Sequence, residues 1–159
     1  MKIKILCVGK IKEDFYRKAI LEFEKRLSRY CKLEVTEVAD EKTPDLAGEA
    51  IERQIKEKEG ARLLKHIRED TYVVALAIHG KELDSLALSR SIERLGLQGK
   101  SSVAFVIGGS LGLSESVLKR ADEQLSFSKL TFPHQLMRVI LLEQIYRSFR
   151  IIHREPYHK

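Results

Sequence analysis

Residues 2–8 (KIKILCV) alternate charged and apolar side chains and end at Gly9, the signature of a strand whose start has one buried face. From 13 to 30 the period changes. Phe15, Ala19, Phe23 and Leu27 recur every four positions with Tyr16 and Ile20 beside them, which predicts a helix with an apolar side and a Lys/Arg-lined side. Residues 33–38 are β-branched and alternating, a second strand. The breaker Asp40-Glu41-Lys42-Thr43-Pro44 follows, with Pro44 placed to open a helix running toward Ile67. Residues 71–78 (TYVVALAI) and 101–107 (SSVAFVI) are nearly unbroken apolar runs, as strands covered on both faces of a parallel sheet read. Between them Ser85 is placed to cap a helix carrying Leu86, Leu88, Ile92 and Leu95, closed by Gly96 and Gly99. A helix over 114–123, a short strand over 125–130 and a long helix over 133–152 complete the chain. Strands alternating with helices, with no composition break or repeat, predict one α/β domain over 1–159 with a largely parallel sheet.

Composition adds bounds. The 159 residues hold 29 Lys plus Arg against 23 Asp plus Glu, a formal charge of +6, and 43% are hydrophobic. A chain of this size buries roughly 70% of its unfolded surface, so its core needs neither disulfide nor metal. Cys7 and Cys31 are the only cysteines and form no C-x-x-C pair, which points to a reducing compartment. The first apolar run ends at Lys10, short for the roughly 7–15 residue core of a secretion signal, and no run approaches the roughly 20 residues of a membrane span. The expectation is a cytoplasmic protein with no membrane contact. The basic balance raises the prior for a polyanionic partner without naming it. Residues 40–70, with nine acids and seven bases, read as a solvated face docked through Ala47, Ile51, Ile55 and Leu63, or as an arm that moves or meets an RNA or ribosomal surface.

The richest motif is Gly108-Gly109-Ser110-Leu111-Gly112, directly after a buried strand, where α/β folds place ligands because glycine lets backbone groups approach a bound molecule. It fails the dinucleotide pattern G-x-G-x-x-G, and Gly99-Lys100-Ser101 lacks the first glycine and the following helix of a phosphate-binding loop. It does match G-x-S-x-G, with Asp122 and His134 available in hydrolase order. However, Gly112-Leu113-Ser114 puts a loop and a new cap where the elbow's helix should start at once. The five histidines show no metal-ligand spacing, so no metal is expected. In the long last helix Leu136, Val139, Ile140, Leu142, Ile145 and Phe149 occupy nearly every face, which implies cover on several sides: one face on the sheet, another on a second subunit. The closing Arg154-Glu155-Pro156-Tyr157-His158-Lys159 reads either as a frayed terminus or as a basic, aromatic grip for phosphate and base.

FVIGGSLGLS at 105–114, LSFSKLTFPHQLMRVILLEQIYRSFRI at 125–151, the terminal PYHK and the initial MKIKILCVGK together resemble the bacterial ribosomal RNA large subunit methyltransferase H family of the SPOUT class. The resemblance covers the whole chain. It implies a SPOUT-type knotted α/β fold, with helices on both faces of the sheet and a deep C-terminal trefoil knot. It also implies a homodimer and an S-adenosylmethionine (SAM)-dependent transfer to N3 of a pseudouridine in 23S rRNA, within the large subunit or assembled ribosome. Carried over by position, the cofactor would lie against Leu76, then Gly108, Gly109 and Gly112, then Phe127, Ser128, Lys129, Leu130, Thr131 and Phe132. The candidates for catalysis are His134 and Arg138 at the start of the last helix and Arg154, Tyr157 and His158 in the tail, the tail crossing to the partner's cofactor loops. A non-catalytic basic dimer bound to assembling ribosomes, or a SPOUT enzyme acting on tRNA, are the alternatives.

Overall fold

The computed structural model describes residues 1–159. Its elements in chain order are β1 (Lys2–Val8), α1 (Asp14–Leu27), β2 (Lys32–Val38), α2 (Glu49–Leu64), β3 (Tyr72–Glu82), α3 (Ser85–Leu97), β4 (Ser102–Ile107), α4 (Glu115–Arg120), β5 (Glu123–Ser126) and α5 (His134–Ile152). The strands form one sheet in the order β2-β1-β4-β3-β5, and every neighbouring pair is parallel. Parallel neighbours cannot be joined by a tight turn, and a helix links each successive pair of strands.

The two-residue period of the strands divides the core. Ile3, Ile5, Cys7, Val103, Phe105 and Ile107 face α1, α3 and α5, where Ile20, Ile92, Leu141, Leu142 and Ile145 meet them. Leu6, Val8, Val73, Ala104 and Val106 face the opposite way, onto Leu63 of α2 and Val117 of α4. Helices thus cover both faces.

Several expectations shift. β1 is an interior strand between β2 and β4, so its early charged residues are not on an open face: Lys4 is only 9% exposed, with its ammonium 3.7 Å from Glu34 Oε1. α1 stops at Leu27, which frees Tyr30 to stack on Phe149 at 5.6 Å, and Phe15, expected on the apolar side, is exposed. α2 opens at Glu49 after Gly48, not at Pro44; Leu46 and Ile51 are exposed, and Ile55 is the first buried residue of the helix. α4 ends early, at Arg120. β5 is earlier and shorter than expected because residues 127–133 leave the sheet as a loop.

The cap of α3 also moves by one residue. Asp84 Oδ1 accepts the Ala87 N–H at 2.6 Å, while Ser85 lies inside the first turn and donates to Gln144 Oε1 at 2.7 Å. Asp84→Ala is therefore expected to cost about 1 kcal/mol in urea unfolding, the usual value of an N-cap. Ser85→Ala, which leaves the cap intact, is expected to cost less.

Candidate functional site

The carboxyl ends of β4 and β5 and a bulge within β3 come together in one place. Leu125 of β5 pairs with both Leu76 and Lys81 of β3, so the residues between them bulge out of the ladder and turn Ala77 and Ile78 into a wall. β4 runs into the glycine turn, closed by the Gly112 N–H donating to Gly109 O at 3.1 Å. β5 continues into the loop 127–133, shaped by Ser126 Oγ donating to Ser128 O at 3.1 Å and the Leu130 N–H donating to Ser128 Oγ at 3.0 Å. Between these segments lies a cavity of about 660 Å³. Small-molecule sites run from roughly 300 to 1,000 Å³ and prefer the carboxyl ends of parallel strands.

The turn needs its glycines for separate reasons. A Cβ on Gly108 would sit 2.6 Å from the Gly112 carbonyl carbon, so a side chain there forces the turn apart. Gly112 holds φ +87, a conformation that disfavours any side chain. Under the turn stands Glu59 of α2, only 5% exposed, with its Oε2 2.7 Å from where a Gly109 Cβ would be. Burial raises the pKa of that carboxyl. Glu59 belongs to the charged stretch read as a solvated face; here one of its acids is core.

His134, the first residue of α5, lines the cavity at its other end. Its ring lies against Gly9, where an added Cβ would be 3.2 Å from Cε1. His134 Nδ1 is buried without a hydrogen-bond partner. Burial, then the positive charges of Arg138 and Lys12, lower its pKa from 6.5, partly offset by Asp40 and Glu13. The imidazole is therefore neutral at neutral pH and able to accept a proton.

Nine of the ten residues expected at the cofactor line this cavity. Lys129 is in the same loop but is exposed and forms no part of the wall. Of the five catalytic candidates, His134 alone is in the wall. Arg138 is 1% exposed, its guanidinium donating to Glu37 Oε2 at 2.7 Å, Gly9 O at 2.5 Å and Val8 O at 3.4 Å, so it is engaged within the fold. Arg154, Tyr157 and His158 follow the far end of α5, whose 19 residues span roughly 28 Å at ~1.5 Å each. They do not join His134 within one chain.

The tail is not frayed. Arg154 and Glu155 return their N–H groups to Ile151 O and Arg150 O, a Schellman closure, with Arg154 at φ +55 in the position glycine normally takes. Glu155 is held by Tyr30, Arg29 and Arg150, and Arg150 also donates to Pro156 O at 2.7 Å. Tyr157 donates to Glu143 Oε1 at 3.0 Å and lies under the Arg147 guanidinium, 4.7 Å from the ring centroid. Burial and then Glu143 raise the pKa of Tyr157, which keeps its phenol protonated.

The hydrolase arrangement is not assembled. Asp122 accepts the Val73 N–H at 2.7 Å near the start of β3, the opposite end of the sheet from Ser110. Burial pushes the Cys7 thiol up to about 12 and Cys31 up to about 11, so neither supplies a thiolate. Sequence reading missed nine residues of the wall, among them Ala77, Ile78, Leu125, Ser126, Pro133 and Met137. Met137 was legible, one helical turn after His134, whereas the outward turn of Ala77 and Ile78 depends on the β3–β5 register.

A family model described as "Predicted SPOUT methyltransferase" matches residues 1–158. The chain belongs to the SPOUT methyltransferases. Proteins similar to this SPOUT chain and named "Ribosomal RNA large subunit methyltransferase H" come from Bifidobacterium adolescentis (62% identical), Clostridium novyi (60%) and Clostridium botulinum (61%), each over 159 residues and 100% of both chains. The fold is similar to that of a Legionella pneumophila protein assigned as a methyltransferase and solved with SAM bound. The TM-score is 0.50 at 10% identity, covering 94% of this chain and 66% of that one. No three His, Cys, Asp or Glu side chains of the SPOUT chain are grouped to hold a metal, and no helix is long and apolar enough to cross a membrane.

The lowered pKa of His134 has a signed consequence. Above 6.5 the ring is neutral whether folded or unfolded; below it the unfolded chain takes the proton first, so stability falls as pH drops from about 6.5 through the lower folded value. Chemical unfolding of His134→Asn between pH 7.5 and 5 is expected to show a shallower loss of stability than the parent.

Proposed function

We propose that this chain is a SAM-dependent methyltransferase that modifies N3 of a pseudouridine in 23S rRNA, working as a homodimer on the large subunit or assembled ribosome. The observation that carries the reading is the cavity itself, in which three separated backbone segments and His134 meet at the strand ends. Family membership and full-length likeness to proteins named as rRNA methyltransferases support the reaction class and the RNA substrate. The C-terminal knot implied by the family belongs to the same proposal.

The cavity's chemistry fits the donor. Leu76, Ile78, Phe127 and Phe132 offer apolar surface to a purine, the glycine turn offers backbone groups at close range, and the orphaned His134 Nδ1 seeks a polar partner. Bound there, SAM supplies a methyl group on a sulfonium, and its loss leaves a neutral thioether. The chain's own contribution is positioning: walls that fix the angle of approach and exclude water. The imide nitrogen of pseudouridine must lose its proton to attack, and neutral His134 stands at the cavity wall to accept it. Leu136, Val139 and Ile140 of α5, only partly covered in one chain, offer a face to a second copy. In that dimer the tail of one protomer brings Arg154, Tyr157 and His158 to the cavity of the other, Arg154 as a cation for the developing imide anion and Tyr157 as an aromatic face for a base.

Calorimetry with SAM and mass spectrometry of 23S rRNA from cells with and without this gene test the reading together. Saturable SAM binding and a methyl group absent from the mutant's rRNA are expected. No heat with SAM, or RNA binding alone, would leave a non-catalytic ribosome binder. Gly108→Ala is expected to lower SAM affinity on the order of tenfold, a loss of about 1.4 kcal/mol.

Arg154 separates fold from function. Relief of its left-handed backbone is worth roughly 1 kcal/mol, so Arg154→Gly is expected to raise Tm by about 2–4 °C. Methyl transfer in the same variant is expected to fall tenfold or more, on the order of one lost charge-stabilising contact. Unchanged turnover would return the tail to a structural role.

A further inference from the structure

The loop between β1 and α1 is pinned from within and cationic outside. Gly9, at φ +86, turns the chain off β1, and Ile11 packs into the core. The Ile11 N–H donates to Glu37 Oε2 at 3.1 Å, the Lys12 N–H donates to Gln135 Oε1 at 2.8 Å, and Arg17 Nη2 donates to Ile11 O at 3.3 Å. These bonds fix the backbone while Lys10 and Lys12 remain exposed. Neither Lys10, Lys12 nor Arg17 is within ion-pair distance of a carboxylate. Asp14 is paired with Lys18 at 2.9 Å, so the loop and the first turn of α1 together carry Lys10, Lys12 and Arg17 against the unpaired Glu13, a net 3 − 1 = +2.

Position gives this charge its meaning. Gly9 lies against the His134 ring, and Gln135, the next residue of α5, holds Lys12, so the loop forms a rim beside the cavity. The Lys12 ammonium and the carboxylates of Asp40 and Glu13 all act on the His134 imidazole, with opposite signs. In the cavity-wall loop 127–133, Lys129 is a further exposed cation without an acidic partner. A rigid backbone carrying flexible, unpaired ammonium groups is suited to phosphate oxygens, which need charge at a fixed place and no particular base.

We propose that Lys10 and Lys12, backed by Arg17, grip backbone phosphates of the RNA strand whose target base enters the cavity past His134. The inference rests on the rRNA methyltransferase reading and extends it, giving the protein its own anchor for the acceptor strand next to the reacting base. A small enzyme that reads one nucleotide has little surface for base contacts, and phosphate contacts set the register.

The test compares the full-length parent with Lys10→Ala/Lys12→Ala and the charge-keeping Lys10→Arg/Lys12→Arg. Labelled methyl transfer from SAM is measured to ribosomes prepared from cells lacking this gene. KM for ribosomes is expected to rise on the order of tenfold in the alanine variant at about 150 mM salt, and to return toward the parent value in the arginine variant. The slope of log kcat/KM against log salt is expected to become shallower by about 1.4, two contacts at ~0.7 each for single-stranded RNA. SAM affinity by calorimetry and the sedimenting mass are expected to be unchanged. An active parent with an alanine variant of equal KM and equal slope overturns the proposal, as does a variant that sediments as a smaller species, which would make the loop an interface between copies. An inactive parent would instead overturn the methyltransferase reading and this inference with it.

Discussion

A single buried guanidinium ties the start of α5 to the ends of β1 and β2. Arg138, on the second turn of α5, donates to Gly9 O and Val8 O at the end of β1 and to Glu37 near the end of β2. A cation with so little exposure is tolerated only because it has both a carboxylate and backbone carbonyls to bond, and those partners lie on strands far from α5 in sequence. Through that bond the start of α5 is fixed over the sheet edge of the cavity, His134 is set against Gly9, and the β1–α1 loop is held beside it. Arg138, a candidate for touching substrate, is instead bonded within the fold, holding α5 to the ends of β1 and β2.

The cavity follows from the sheet. With every strand parallel, all carboxyl ends lie on one side, and the order β2-β1-β4-β3-β5 brings the ends of β4, β3 and β5 next to one another. Each departs from the regular ladder differently: β4 by a glycine turn, β3 by a bulge after Leu76 before pairing resumes at Lys81, β5 by a loop leading to α5. The Gly112 N–H bond to Gly109 O within the glycine turn and Ser128 within the last loop give these irregular segments fixed shapes. A concavity with backbone groups at its surface is the outcome, well suited to an elongated ligand with both apolar and polar parts.

The tail obeys another logic. It is strapped to the C-terminal end of α5 and to Tyr30 by ion pairs, a phenol bond and aromatic contacts, at the end of the helix opposite to the cavity. Such anchoring orders basic and aromatic groups on a surface that, within one chain, does not reach the cavity at the start of α5. Left-handed Arg154 at the helix closure, where glycine would be less strained, is local cost accepted for a side chain. Both features accord with a site completed by a second copy.

Much of this was legible in the sequence. The sequence predicted an element in each of the ten places, β5 only in part, and the unbroken runs at 71–78 and 101–107 identified interior parallel strands, because burial on both faces leaves no polar alternation. Resemblance to the family over the whole chain pointed to ten residues, nine of which line the cavity, since local backbone chemistry such as Gly108 and Gly112 is written in the residues themselves. What the sequence could not carry were relations between distant segments. The burial of Lys4 and Glu59, the inward turn of Arg138, the bulge that exposes Ala77 and Ile78, and the pinning of Lys10 and Lys12 at the rim all depend on which strands become neighbours. A side chain's period along its own element tells which way it faces; only the folded chain decides what stands there to meet it, because long-range partners are chosen by packing and not by adjacency.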